Sequence, residues 1–170
     1  MLTITEFSPD LAALLPESDH LLRGANLVVR EEVYQVTLEG SRGLAGGCRA
    51  DSDIDLTLLV DAAQLPAAEP ERARALRSIL RTTLDQWRSP VDLDIAAVFD
   101  KGGCCGLRCF GERVWNDALI RGRGVDCFGI YKIQRGFDGY VESGVRLAQV
   151  YPILTIWRRE AGGAPGVRIE

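Results

Sequence analysis

Ser52-Asp53-Ile54-Asp55-Leu56 constrains this chain more than any other stretch. It opens an apolar run, Asp53 to Val60, that reads as a β-strand. Side chains alternate along a strand, so Ile54, Leu56, Leu58 and Val60 make one wholly apolar face. The other face carries Asp53 and Asp55, then Thr57 and Leu59. Such a strand is buried along most of its length and chemically specialised at one end. Two like charges projecting to the same side repel by roughly 4 kcal/mol at an effective dielectric of about 20. A cation or a proton must resolve that conflict on a stiff strand.

The flanking sequence places a second signal beside the acids. Val33 to Glu39 is β-branched and aromatic, reads as a strand, and runs straight into Gly40-Ser41. Residues 42–51 are a Gly-rich loop. After Val60 a loop spans 61–68, and Pro70 suits the first turn of a helix. Leu76, Ile79, Leu80, Leu84 and Trp87 trace one face of that helix to about residue 88. Arg72, Arg74, Arg77 and Arg81 lie off the stripe and read as a solvated face. Pro90 then leads into a strand, Val91 to Phe99, with Asp92 and Asp94 on one face at its start. The fold class expected is α/β (α+β), a small mixed sheet flanked by helices. The backbone N–H groups of a Gly-Ser turn suit phosphate. Beside paired carboxylates, they suggest a divalent metal ion carrying a nucleotide.

The rest of the chain is less legible. Leu11 to Leu15 reads as a short helical turn closed by Pro16, and Ser18 as the N-cap of an amphipathic helix over 18–31. Residues 100–106 read as a Gly/Cys loop, 111–121 as a helix, and Val125 to Phe128 as a short edge strand. Residues 130–159 are densely apolar but interrupted by Pro152 and glycines, which suggests two or more helical pieces. The expected organisation is a domain over 1–129 and a mainly helical extension over 130–170, packed on it and ending in a flexible tail.

Composition narrows the function. A length of 170 residues with 46% hydrophobic residues fits one globular domain. A net charge of −4 argues against a general nucleic-acid-binding surface. Lys132, Arg135, Arg146, Arg158 and Arg159 are the candidates for a local basic patch. No apolar run is long enough to span a bilayer, and the acidic N-terminus does not read as a signal peptide. A cytoplasmic location and reduced thiols are therefore expected. Cys104-Cys105-x3-Cys109 lacks paired C-x2-C knuckles, and the single histidine, His20, lies far upstream. The cluster reads as small, partly buried loop residues rather than a zinc site.

Taken in order, Leu38-Glu39-Gly40-Ser41, Ser52-Asp53-Ile54-Asp55-Leu56 and Leu93-Asp94-Ile95 resemble the motif of the nucleotidyltransferase superfamily. The chain is most similar to its small bacterial "minimal" members, over about residues 20–100. The resemblance implies a DNA polymerase beta-like fold and transfer of an NMP, AMP from ATP first among them, to an acceptor hydroxyl with release of pyrophosphate. It implies Mg²⁺ or Mn²⁺ held by Asp53, Asp55 and Asp94 as catalytic and metal-binding acids. Gly40, Ser41, Arg42 and Ser52 would contact the nucleoside triphosphate. Asp94 fits the third acid better than Asp92 because an apolar run follows it, although Asp92 shares its face. The acceptor, whether small molecule, protein or RNA end, is not encoded in the motif. Small stand-alone members include antitoxins that adenylylate a HEPN-type ribonuclease toxin. A toxin-like protein partner, a homodimer and a non-catalytic nucleotide-binding module therefore stay in view.

Overall fold

The structure is a computed structural model that describes residues 1–101, 128–141 and 152–160. The described elements are β1 (Leu2–Thr3), α1 (Pro9–Leu14), α2 (Pro16–Gly24), β2 (Val28–Val29), β3 (Val33–Glu39), β4 (Ile54–Val60), α3 (Glu69–Gln86), β5 (Leu93–Asp100), β6 (Phe128–Gln134), β7 (Phe137–Val141) and β8 (Leu154–Arg158). Six of the strands form one mixed sheet in the order β7-β6-β5-β4-β3-β8. Only β4 and β5 run parallel, and α3 is the crossover between them; the other neighbours pair antiparallel. The architecture is α+β, as expected. Among the described residues no helix is long and apolar enough to cross a membrane.

The sheet's two faces differ chemically. On one, Val36, Leu38, Ile54, Leu56, Leu58, Ile95, Ala97 and Ile156 are buried in the main core. Leu76, Ile79 and Leu80 of α3 join that core with no exposed surface. Their 3–4-residue spacing is the stripe that the sequence displays, and each contributes about 1.5–3 kcal/mol by leaving water. The buried Thr83 hydroxyl donates to the Val28 carbonyl at 2.7 Å and ties α3 to β2. The other face is polar at one end, and the register builds it in rows. Glu39, Asp55 and Asp94 share a row across β3, β4 and β5. Thr155, Thr37, Thr57, Ala96 and Lys132 form the next. Gln35, Leu59, Val98 and Ile130 continue it inward.

Several expectations are corrected. The helix expected over 18–31 runs only from Pro16 to Gly24. Asn26 adopts a left-handed φ of 55°, which stops the helix, and Val28 and Val29 then pair with Thr3 and Leu2. Pro16 therefore starts a helix as well as closing α1, and Ser18 lies within its first turn. In the described part of the expected helical extension the structure is not helical, because residues 128–134, 137–141 and 154–158 are strands of the same sheet. The division at 129/130 falls inside β6. β6 is buried on both faces, and its run Phe128 to Gln134, with Gly129 and Lys132 among the apolar residues, shows no clean two-residue alternation that would separate strand from helix. Arg135-Gly136 makes the two-residue turn to β7, with Gly136 at φ 78°. Phe128 begins a strand lying between β5 and β7, not at an edge.

The loop expected to continue to 106, the helix over 111–121, residues 125–127, Cys104, Cys105, Cys109 and the tail from 161 lie outside the described residues.

Candidate functional site

The polar row is made by three local features of the sequence. β3 ends at Glu39 because Gly40 turns the chain with φ 71°, and the Gly43 N–H closes the turn on the Gly40 carbonyl at 3.0 Å. A side chain at position 40 is excluded twice. The backbone is left-handed, and a Cβ there would lie 2.8 Å from Asp55 Cγ. The turn is thus pressed against the Asp55 carboxylate. β4 begins one residue after Asp53, where the Ile54 N–H donates to the Asp92 carbonyl at 2.9 Å.

Register decides which acids meet. Asp55 is the cross-strand partner of Glu39 on one side and of Asp94 on the other, and all three project to the same face. Asp55 and Asp94 are half-buried. Asp53 is exposed and precedes the strand, so the crowding foreseen between Asp53 and Asp55 falls instead on Asp55 with Glu39 and Asp94. Asp92 is also exposed and outside β5; register pairs Asp94, not Asp92, with Asp55. Lys132 reaches the row from β6, its Nζ 4.0 Å from Asp94 Oδ2, and is itself buried.

Glu39 is the residue that motif reading passed over. It is buried, and its carboxylate accepts hydrogen bonds from the hydroxyls of Thr37 and Thr57. Burial, reinforced by the Asp55 charge, pushes its carboxyl up to about 8 despite those hydroxyls and Lys132. A signal was present in the sequence. Gln35-x-Thr37-x-Glu39 puts three polar side chains on one face of the strand, ending directly before the Gly-Ser turn.

The loop between turn and acids is organised from inside. Arg42 is buried; its Nε donates to the Ser52 carbonyl at 2.7 Å and its Nη2 to the carbonyls of Arg49 and Ala50, each at 3.2 Å. The Arg42 carbonyl accepts from the Ser18 hydroxyl at 2.6 Å. Ser52 Oγ accepts the Arg49 N–H at 2.8 Å. Ser41 is half-buried at the turn.

Among the described residues, Lys132 does not gather into one patch with Arg158 and Arg159. Lys132 on β6 and Arg158 on β8 are separated by β5, β4 and β3, about 19 Å at about 4.8 Å per strand spacing. Arg159 is occupied by the carbonyls of Arg30 and Val33. Arg146 lies outside the described residues.

Among the described residues, no group of three or more His, Cys, Asp or Glu side chains is gathered tightly enough to hold a metal ion unaided. The donor chemistry of the row nonetheless fits Mg²⁺. That ion takes oxygen ligands, usually one or two carboxylates, and completes its shell with water and substrate phosphate. Asp55 and Asp94 provide two carboxylates, and the glycine turn leaves no side chain between Asp55 and an approaching phosphate. Compared with known proteins, the chain matches no family model, no curated protein and no solved structure.

Proposed function

We propose that this chain is a metal-dependent nucleotidyltransferase with a nucleotidyltransferase-like fold, transferring an NMP to an acceptor hydroxyl. The observation that carries the reading is the register of Asp55 with Asp94 on adjacent parallel strands, with the Gly40-Ser41 turn packed against Asp55. The β3–turn–β4 hairpin, the α3 crossover and the acid at the start of β5 follow in the order the motif resemblance requires.

Each group has a role in this reading. Asp55 and Asp94 would hold the divalent ion, with Asp53 joining from the solvent side. When bound, that ion neutralises charge on the triphosphate and on the attacking and leaving oxygens. The backbone of Gly40-Ser41 receives phosphate oxygens. Asp94 takes the proton of the acceptor hydroxyl as its oxygen bonds to the α-phosphorus and pyrophosphate leaves. ATP is the first nucleotide to try.

One observation favours a second reading, a nucleotide-binding module that acts through a protein partner. Lys132 already lies 4.0 Å from Asp94, so the acid carries a counter-charge within the protein. The two readings separate on turnover. The protein is incubated with each labelled nucleoside triphosphate, Mg²⁺ or Mn²⁺, and candidate acceptors. Label transfer that disappears in Asp55→Ala and Asp94→Ala supports the enzyme. Metal-dependent nucleotide binding without transfer to any acceptor supports the module. If neither metal nor nucleotide binds, both readings are wrong.

A further inference from the structure

The loop between the Gly-Ser turn and the acid row holds one arginine inward and one outward. Arg42 is only 8% exposed, and its guanidinium is spent on the backbone carbonyls of residues 49, 50 and 52. Ser52 spends its hydroxyl on the same segment, accepting the Arg49 N–H. Arg49 is thereby pinned on both sides of its Cα: its N–H by Ser52 and its C=O by Arg42. Its side chain is 86% exposed, and its ion pair is with Asp51, at 3.9 Å and 87% exposed. Such a pair is screened by water and contributes little to holding the guanidinium.

A polyphosphate beside this row meets Asp53, Asp55 and Asp94 and requires positive charge from the protein as well as from the metal. Lys132 stands beside Asp94, and Arg42 is committed to the loop. We infer that, among the described residues, Arg49 rather than Arg42 is the arginine that grips the triphosphate tail of the nucleotide, while Arg42 and Ser52 are positioning residues that hold it there. The inference rests on the nucleotide-binding reading above. A planar guanidinium suits phosphate because it donates two parallel hydrogen bonds. Fixing the backbone at residue 49 in advance lowers the ordering cost of binding.

The test uses the full chain and calorimetric titration with MgATP, inorganic tripolyphosphate with Mg²⁺, and adenosine. Arg49→Ala is expected to weaken MgATP and tripolyphosphate binding about tenfold or more, at unchanged melting temperature and unchanged adenosine binding. Arg49→Lys, which keeps the charge but not the fork, should fall between. Arg42→Ala should lower the melting temperature and weaken both phosphate ligands together. If Arg49→Ala binds MgATP as the wild type does, the inference is wrong and the nucleotide reading survives. If Arg42→Ala loses phosphate binding at an unchanged melting temperature, the two roles are reversed and the inference is again wrong. If the wild-type chain binds neither MgATP nor tripolyphosphate, the underlying reading fails and takes the inference with it.

Discussion

Glu39 ties the stability of this fold to pH in a direction opposite to that of most carboxylates. Its folded-state pKa is raised from 4.5 to about 8, chiefly because it is buried and secondarily because Asp55 is its cross-strand neighbour. Below pH 4.5 both folded and unfolded chains carry the proton, and stability is at its full value as far as this group is concerned. Between 4.5 and about 8 the unfolded chain releases the proton and the folded chain keeps it. The folded state then binds more protons, so stability falls as pH rises, until the folded carboxyl ionises as well. At about 1.4 kcal/mol per pH unit, the loss over that window has an upper bound on the order of 5 kcal/mol. That is comparable with the whole stability of an ordinary domain.

Glu39→Gln removes the ionisation and keeps the shape and polarity. Urea unfolding of metal-free wild type and variant is measured in chelator from pH 5 to 9. The other titrating groups cancel in the difference between the two proteins. The variant should match the wild type near pH 5 and exceed it by a few kcal/mol near pH 8.5. Parallel curves across the whole range would refute the argument, because they would mean that Glu39 ionises equally easily in both states.

Two further predictions concern the same row. Gly40→Ala places a methyl group 2.8 Å from Asp55 Cγ in a left-handed backbone and should cost about 1–3 kcal/mol in urea unfolding. It should also weaken Mn²⁺ and nucleotide binding more than that loss of stability explains; a variant as stable as wild type would show that the turn does not press on the acid. Lys132→Met removes a positive charge 4.0 Å from Asp94 and should tighten Mn²⁺ binding several-fold in a spectroscopic titration. Unchanged or weaker binding would show that Lys132 does not compete with the cation for Asp94.

Legibility followed how locally each feature is encoded. β3 was readable from its β-branched and aromatic residues, β4 and α3 from the period of their apolar residues, and Gly40, Asp53 and Pro70 mark their ends. β6 was not, because burial on both faces erases the alternation. The asparagine that ends α2 looked like any polar helix residue until its φ was known. Arg42 looked like a surface or phosphate-binding side chain, because nothing in a sequence shows that a guanidinium folds back onto carbonyls seven to ten residues later.

The sequence by itself determined that a Gly-Ser turn ends one strand and that two further strands begin with acids. Those are local facts, set by strand alternation and by glycine's conformational freedom. Which acids stand side by side was decided only by tertiary structure. Strand register is a long-range property, fixed by backbone pairing between strands distant in sequence and by burial of their apolar faces in one shared core. It aligned Glu39 with Asp55 and Asp94, left Asp53 in solvent, and carried Lys132 in from β6. The charge conflict announced by Asp53 and Asp55 is real, but the fold moved it onto Asp55 with Glu39 and Asp94, where burial of Glu39 favours its protonated form and Lys132 stands beside Asp94.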